Sequence, residues 1–372
     1  MAGQNSERTI KMASTKIALA HYVYEDIYPA FKAATDEKEK TARIKQQFLN
    51  FIAARNLVLT GREPLMTADI GSGPCDTLIQ YLSGIEFPGG FTVRATDFIP
   101  EYTDSLRGIA LSILAAAQTR GTPKLAGFSV KAGNAFGGSL LELLSSSDDH
   151  VRPRHLFKLV FVSHLMYHAE AASDAECLIH DVATNLLAAD GIAILYHLAN
   201  VPRTFQEFRA RYGSQSGSGS TNDTGAVTID DPPAEIARTC SNLGLPLYEV
   251  GFTTDLRFGQ LDQAEWASFK APRTYAALAD RNPDAYEDLK KLYFIVQRAP
   301  LEFANDLSVI GLSQFIDEIR PVIEANHGML PMAERMQVFC RNDAPPHLRA
   351  IIPDALAACI SMTAGRGSAA PL

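Results

Sequence analysis

A glycine turn between an apolar strand pattern and a helical pattern limits the folds open to this chain more than any other feature. The apolar run Leu65–Ala68 predicts a short strand, which leads into Asp69-Ile70-Gly71-Ser72-Gly73. Glycine permits positive φ and lets a ligand approach the backbone without a Cβ in the way. The helical pattern of Leu78 and Leu82 comes next, so the turn presents backbone N–H groups at a helix N-terminus. This order predicts a nucleotide-type binding cradle at the end of a first β-strand.

An acidic residue precedes the first glycine, giving the sequence Asp69-Ile70-Gly71-Ser72-Gly73. This sequence resembles motif I of the class I S-adenosylmethionine-dependent methyltransferases. It lacks the third glycine of the dinucleotide fingerprint, which disfavours a dehydrogenase. The resemblance implies S-adenosyl-L-methionine as the cofactor, held by Asp69, Gly71, Ser72 and Gly73.

A second strand pattern ends on a carboxylate at the interval that a βαβ unit predicts. Phe91–Asp97 has alternating and apolar character, and Asp97 lies 26 residues beyond Gly71. A carboxylate accepts from both hydroxyls of a ribose diol, so Asp97, with Phe98 beside it, is predicted to bind the cofactor ribose. The competing interpretation is a solvated acid at a strand end.

A third strand pattern, Ala126–Ala132, leads into the short segment Gly133-Asn134-Ala135-Phe136. In the fold that the motif implies, the corresponding loop commonly carries Asp or Asn beside the adenine. We therefore expect the Asn134 carbonyl to meet the adenine amino group and Phe136 to cover the ring, with Ala135 counted among the cofactor-binding residues. The competing interpretation is an asparagine that only shapes a turn.

Polar rings follow the most apolar strand pattern in the chain, Leu156–Val162. A continuous apolar run of this length fits the interior of a parallel sheet. Ligands of open α/β sheets bind beyond the carboxyl ends of the strands. We therefore predict Ser163 and His164 at the cofactor, and His164, Tyr167 and His168 as catalytic residues, with a histidine taking a proton near neutral pH. Each ring taken alone is more often a structural residue.

The remaining patterns complete an α/β series. A helix is predicted over Asp174–Leu187, then a turn at Asp190-Gly191 and a fifth strand, Ile192–His197. Met332–Cys340 predicts a closing strand. With the resemblance, this series implies a Rossmann-like class I methyltransferase sheet of seven strands, the last antiparallel, with N-terminal helices and a helical cap.

Composition divides the chain into six predicted segments. In the helical run Asp36–Leu57, Ile44, Phe48, Phe51 and Ile52 share one face. The segments are a disordered leader (1–16), an N-terminal helical lid (17–60), a cofactor-binding core (61–260), a helical cap (261–330), a closing strand with a C-terminal segment (331–362) and a disordered tail (363–372).

Charge and composition exclude several function classes. The 372 residues are 47% hydrophobic and 20% charged, which describes a soluble globular protein. A net charge of −8 argues against capture of nucleic acid or an anionic membrane. The five cysteines lack metal or redox spacing, and no signal peptide or membrane-length apolar run is found. We expect reduced thiols, a cytoplasmic location, no metal, and a monomer or homodimer acting on a small molecule.

Four further segments narrow the resemblance. Tyr22–Ile27, His164–Glu170, Phe205–Gly213 and Ser241–Tyr248 together resemble the histamine N-methyltransferase-like branch, over most of residues 20–340. Matched by position, that family's substrate groups fall at Glu37, His164 and Glu334, and two of these three residue types differ from the family's. The resemblance therefore implies a small-molecule substrate, and the two differing residues count against histamine itself.

Tyrosines supply the other predicted substrate contacts. Tyr22, Tyr24 and Tyr28 recur at helical spacing, and an N-terminal extension in this fold often closes over the cofactor. A tyrosine face stabilises a sulfonium or ammonium through its quadrupole. We place these three and Tyr196 at the substrate; core packing is the alternative for such a stripe.

Three functions stay open at this point. Methyl transfer to the amine or carboxylate of a small molecule is favoured, because most members of the broad fold transfer methyl groups. The same branch is similar to the azetidine-2-carboxylate synthases, which cyclise S-adenosylmethionine and release methylthioadenosine. The third is a scaffold that binds S-adenosylmethionine without chemistry; the intact cradle and Asp97 count against it.

Overall fold

The structure is a computed structural model, and it describes about half of the chain. The described residues are 28–55, 63–73, 89–97, 125–136, 140–145, 156–166, 172–199, 232–258 and 319–363, with 78, 82, 85, 108, 169, 283–284, 287–288 and 290–291. Predictions for the leader, for Phe205–Gly213 and for most of the cap lie outside these residues.

Six α-helices and seven strands are bounded within the described residues. The helices are α1 (Tyr28–Ala34), α2 (Glu37–Ala54), α3 (Leu140–Leu143), α4 (Ala172–Asp181), α5 (Pro232–Asn242) and α6 (Pro346–Thr363). The strands are β1 (Leu65–Ile70), β2 (Phe91–Asp97), β3 (Leu125–Ala132), β4 (Phe157–Ser163), β5 (Leu187–Leu198), β6 (Leu247–Arg257) and β7 (Met329–Cys340).

The seven strands form one mixed sheet in the order β3-β2-β1-β4-β5-β7-β6. β1 pairs in parallel with β2 and β4, β2 with β3, and β4 with β5. The closing strand β7 runs antiparallel to β5. This arrangement confirms the predicted Rossmann-like class I methyltransferase fold, and it brings the carboxyl ends of β1, β2, β4 and β5 to one edge.

Helices cover both faces of the sheet. On one face, Phe48 and Ile52 of α2 and Ile352 of α6 share a buried cluster with Phe161 of β4 and Ile194 of β5. On the other face, the buried cluster joins residues of α4 and α5 to the alternate strand positions. The predicted apolar face of α2 is confirmed, since Ile44, Phe48 and Ile52 are buried and Phe51 packs against the same cluster. No helix within the described ranges is long and apolar enough to cross a membrane.

The predicted boundary between the helix and the fifth strand is wrong. The α-helix ends at Asp181, a π-helical turn occupies Val182–Leu186, and β5 begins at Leu187 rather than Ile192. The register with β4 shifts between Phe157 and Leu159, which absorbs the extra residues. A Cβ on Gly191 would lie 2.7 Å from the Phe157 carbonyl oxygen. The glycine that predicted a turn is therefore needed for a close approach to β4 inside the sheet.

The chain divides into two compact units. The larger comprises residues 38–199, 225–252 and 333–372 and holds most of the sheet; the smaller comprises residues 1–37, 200–224 and 253–332. Within the smaller unit, Thr35 forms a bridge with Leu256, and the Asp255 N–H donates to Asp36 Oδ1 at 2.8 Å. The segment after α1 is thereby bonded to the end of β6. The predicted segment boundaries stay predictions.

Candidate functional site

The glycine turn after β1 is attached to the end of β2. The Gly71 and Ser72 N–H groups donate to the Thr96 carbonyl oxygen at 2.8 and 3.2 Å. Gly71 has φ +72° and Gly73 has φ +53°, which confirms the positive-φ turn expected from the sequence. The turn therefore has a fixed position beside Asp97.

The two glycines serve different physical purposes. A Cβ on Gly71 would lie 3.0 Å from Leu165 Cδ1 and 3.3 Å from Leu165 Cβ, so this glycine lets the loop after β4 pack closely. Among the described residues, a Cβ on Gly73 would meet nothing within 4 Å. Gly73 is thus the position at which a ligand could approach the turn backbone.

Asp97 joins the turn to the loop after β3. The Gly73 N–H donates to Asp97 Oδ2 at 2.8 Å, and the Gly133 N–H donates to the Asp97 carbonyl oxygen at 2.8 Å. A carboxylate has about four acceptor positions on two oxygens, so the bond to Gly73 leaves capacity for the hydroxyls of a ribose.

Asn134 shapes the turn that follows β3. Its Oδ1 accepts the Phe136 N–H at 3.0 Å, which is an Asx turn. Ala135 is buried and Phe136 packs against the core on the α4 face. The interpretation as a turn residue is thus confirmed for Asn134. A role for the loop at an adenine stays a prediction.

Asp69 is a buried carboxyl group near the end of β1. It pairs with Ala95 of β2 and Phe161 of β4, between two neighbouring strands. Burial raises the pKa of Asp69 to about 7; the Lys45 ammonium opposes this rise and the Asp97 carboxylate adds to it. Asp69 consequently changes charge near neutral pH, which is typical of functional sites.

Lys45 is the main site residue that sequence reasoning missed. It lies on α2, is fully buried, and its Nζ donates to Ser163 Oγ at 2.9 Å. The ammonium lies 5.5 Å from the ring centroids of Phe161 and Tyr196. The available signal was a cation on the apolar face of a helix, in helical register with Phe48 and Ile52.

His164 has a backbone conformation that is rare for a residue with a side chain. Its φ is +53°, and its N–H donates to the Tyr196 carbonyl oxygen at 2.8 Å. Its ring meets the Tyr196 ring edge-on at a centroid distance of 4.7 Å. Such strain is held in place by the surrounding structure and occurs often at functional sites. The structure therefore brings three predicted residues together here: Ser163, His164 and Tyr196.

His197 is a second residue that the sequence did not single out. Burial, then His164 and then Lys45, lower the pKa of His197 well below its usual value. Its Nε2 accepts the Met166 N–H at 3.3 Å, a bond that needs a neutral ring. His197 therefore holds the loop after β4 as an uncharged acceptor.

The other predicted residues divide into described and undescribed groups. Glu334 is buried on β7 and pairs with Leu198 of β5. Leu198 lies two residues after Tyr196, so Glu334 and Tyr196 are on the same face of the sheet. Glu37 is buried at the start of α2, and Tyr28 is the first residue of α1. Those outside the described residues are Tyr22, Tyr24, Phe98, Tyr167 and His168.

Three of the four described thiols are buried, and their burial makes them unreactive. Cys177, Cys240, Cys340 and Cys359 are free, and burial raises the pKa of Cys240 to about 12. Burial likewise raises the pKa of Cys340 and Cys359 to about 11, so these three thiols stay protonated. No group of three or more potential metal ligands occurs in the described part of the chain.

Comparisons with known proteins give a likeness in structure alone. No protein-family model and no curated protein sequence matches the chain. The YcgJ protein from Bacillus subtilis is 12% identical, with 80% of this chain and 98% of that chain covered and a TM-score of 0.41. The plantazolicin methyltransferase BamL, solved with S-adenosylhomocysteine, is 11% identical, with 90% and 99% covered and a TM-score of 0.39.

A further similar structure is phosphoethanolamine N-methyltransferase 2 from Haemonchus contortus, solved with S-adenosyl-L-methionine. It is 12% identical, with 75% of this chain and 49% of that chain covered and a TM-score of 0.35. These identities and TM-scores are too low to assign the chain to a family or to transfer a residue's role.

Proposed function

We propose that this chain is an S-adenosylmethionine-dependent methyltransferase whose acceptor is an amine or carboxylate of a small molecule. The observation that carries the proposal is the open backbone at Gly73. Its N–H donates to Asp97 Oδ2 at 2.8 Å, and a Cβ at this position would meet nothing within 4 Å in the part of the chain that the structure describes. A glycine turn with space above it, beside a carboxylate at the end of β2, fits the ribose and methionyl part of the cofactor.

The charges at the site also fit this cofactor. S-adenosylmethionine carries an ammonium, a sulfonium and a carboxylate, and when bound it supplies an electrophilic methyl group. Asp97 at the end of β2, and Asp69 on β1 once it is ionised, supply negative charge, and Lys45 supplies positive charge from α2. Opposite charges facing each other in a water-poor site are worth more than on the surface.

Residues that follow β4 or lie near the end of β5 are assigned to the acceptor. His164 is the proposed base, since an imidazole removes a proton from an amine or carboxylic acid near neutral pH. Its positive φ is fixed by the bond to the Tyr196 carbonyl oxygen, which holds the imidazole beside the Tyr196 ring. His197, neutral and bonded to Met166, positions this loop and takes no proton itself.

The proposed substrate-binding residues are assigned from their places in the sheet and in the sequence. Tyr196 and Glu334 share a sheet face and supply a ring and a carboxylate. Tyr22, Tyr24, Tyr28 and Glu37 stay proposed substrate-binding residues, and Tyr167 and His168 stay proposed catalytic residues. A carboxylate and several aromatic faces favour a cationic acceptor, such as an amine that is protonated before reaction.

The test is to incubate the pure protein with S-adenosylmethionine and identify the products by mass spectrometry. We expect little turnover alone, and S-adenosylhomocysteine with a methylated product when small amines and carboxylates are added. Acceptor-free formation of methylthioadenosine and azetidine-2-carboxylate, lost in Tyr167→Ala, would replace methyl transfer by cyclisation. Tight binding without any product would leave only a scaffold.

A further inference from the structure

Thr41 and Lys45 lie one turn apart on the same face of α2, and both are buried. The Thr41 hydroxyl has no hydrogen-bond partner within the part of the chain that the structure describes. A threonine inside a helix ordinarily bonds the carbonyl oxygen one turn earlier. Burying a hydroxyl without a partner is unfavourable, so this group is suited to a bound ligand.

The Lys45 ammonium is held at the carboxyl ends of β4 and β5. It donates to Ser163 Oγ at 2.9 Å and lies 5.5 Å from the centroids of Phe161 and Tyr196. These contacts fix the long side chain in one place, which lowers the entropy lost when the ammonium binds an anion. A buried ammonium is stable only with negative charge nearby.

Asp69 is the negative group that shares this face of the sheet. It pairs with Phe161, whose ring lies under Lys45, and it interacts electrostatically with the ammonium. A cation and an anion on one face of the sheet, with Thr41 one helical turn before Lys45, match the two charges of an α-amino acid. Thr41 and Lys45 provide donors for its carboxylate, and Asp69 accepts from its ammonium.

We propose that Thr41 and Lys45 form a carboxylate-binding subsite that anchors the α-amino acid end of the methionyl chain of S-adenosylmethionine. This inference rests on the proposed function, because the ligand is its cofactor. The subsite makes binding depend on the carboxylate, so that a decarboxylated analogue is rejected.

The test is calorimetric titration of the full chain with three ligands. They are S-adenosylhomocysteine, its decarboxylated analogue, which keeps the amine, and methylthioadenosine, which lacks both groups. We expect Lys45→Met to weaken S-adenosylhomocysteine about 10–100-fold, the usual range for a lost charge-assisted hydrogen bond. The decarboxylated analogue should be weakened much less, because Lys45 affects its amine only through Asp69, and methylthioadenosine should bind unchanged. Thr41→Val should weaken the same ligand by about 3–10-fold.

Two matched variants control for charge and for folding. Lys40→Met removes a lysine from the same helix and should leave all three affinities unchanged. Lys45→Arg keeps the positive charge and should restore part of the lost affinity. Because Met has nearly the length of the lysine stem, we expect Lys45→Met to fold, and its melting temperature checks this.

Each other outcome overturns a different part of the proposal. Equal loss of S-adenosylhomocysteine and its decarboxylated analogue in Lys45→Met would show that Lys45 acts only through Asp69 or through packing. Unchanged cofactor affinity with a raised KM for a carboxylated acceptor would move the carboxylate from the cofactor to the acceptor. Failure of the unmodified protein to bind any of the three ligands would overturn the proposed function itself.

Discussion

The Asp69 carboxyl group is shut away from water, and this burial links its proton to the stability of the fold. Burial raises its folded-state pKa from the ordinary 3.8 to about 7. The folded state then holds a proton that the unfolded state has lost, over the range between these values. The contribution of Asp69 to the free energy of unfolding therefore falls as pH rises through this range and is constant above it.

We predict that Asp69→Asn removes this pH dependence. Relative to the variant, the unmodified protein should lose roughly 2–3 kcal/mol of unfolding free energy between about pH 5 and pH 8. Urea unfolding of both proteins at several pH values measures the change, and any constant effect of the substitution cancels. Asp354→Asn, at an exposed position on α6, should follow the unmodified protein. A pH-independent difference for Asp69→Asn would mean that Asp69 is solvated in the folded state.

Three of the glycines with positive φ, Gly71, Gly73 and Gly244, allow the effect of backbone strain to be distinguished from the effect of space for a ligand. An alanine at any of them costs about 1–2 kcal/mol for the left-handed conformation. Gly71→Ala should cost more, because its Cβ would lie 3.0 Å from Leu165, whereas the nearest atom at Gly244 is 3.7 Å away.

We predict that Gly73→Ala and Gly244→Ala are destabilised equally but differ in binding. Gly73→Ala should weaken S-adenosylhomocysteine about tenfold or more, because its Cβ enters the space assigned to the ligand. Gly244→Ala should bind normally. Urea unfolding and calorimetric titration measure the two quantities. Full affinity in folded Gly73→Ala would place the cofactor elsewhere.

One face of helix α2 both packs against the core and carries the buried Lys45. Phe48 is fully buried against the sheet, whereas Phe51, three residues later, is half-buried at the edge of the same cluster. The helix therefore owes its position to Phe48 and its neighbours, and this position sets the reach of Lys45.

We predict that Phe48→Ala lowers the free energy of unfolding by about 3–5 kcal/mol, as expected when a buried ring leaves a cavity. Phe51→Ala should cost clearly less, since part of its ring already faces water. Guanidinium unfolding of the two variants makes the comparison. Similar losses would mean that the edge of the cluster is as tightly packed as its centre.

The elements of the sheet were largely predictable, because their signals are local. The bounds predicted for β2 are those observed, and Gly71-Ser72-Gly73 predicted a positive-φ turn that the structure contains. The start of β5 was not predictable, because the need for Gly191 comes from the Phe157 carbonyl oxygen on another strand. The local sequence predicted a turn at Gly191, whereas the pairing of β4 with β5 places this glycine inside the sheet.

The candidate site was predictable only in part, for the same reason. Asp69, Asp97 and His164 end or follow strand patterns, and their positions followed from the rule for parallel sheets. Lys45 belongs to the site because it contacts Ser163, 118 residues later, and the rings of Phe161 and Tyr196. In the sequence it is one lysine in a helix with several others. The periodicity of one segment does not show which distant segments of the chain it will contact.

At the scale of the whole molecule, Asp69 links folding, proton binding and the proposed cofactor. An ammonium beside Asp69 favours the ionised carboxylate, so binding should lower the pKa of Asp69 below about 7 and release a proton under more acidic conditions. A ligand that binds only the folded state raises the melting temperature in proportion to the logarithm of its affinity.

We therefore predict that a fixed excess of S-adenosylhomocysteine raises the melting temperature more at about pH 8 than at about pH 6. The ligand amine is protonated at both pH values, whereas Asp69 is mostly ionised at pH 8 and mostly protonated at pH 6. In Asp69→Asn the rise should be smaller and equal at the two pH values. Methylthioadenosine, which lacks the amine, should give equal rises in the unmodified protein. Thermal unfolding with each ligand tests this. A larger rise at pH 6 would mean that the ammonium binds away from Asp69, and the methionyl chain would then have to run in another direction along the site.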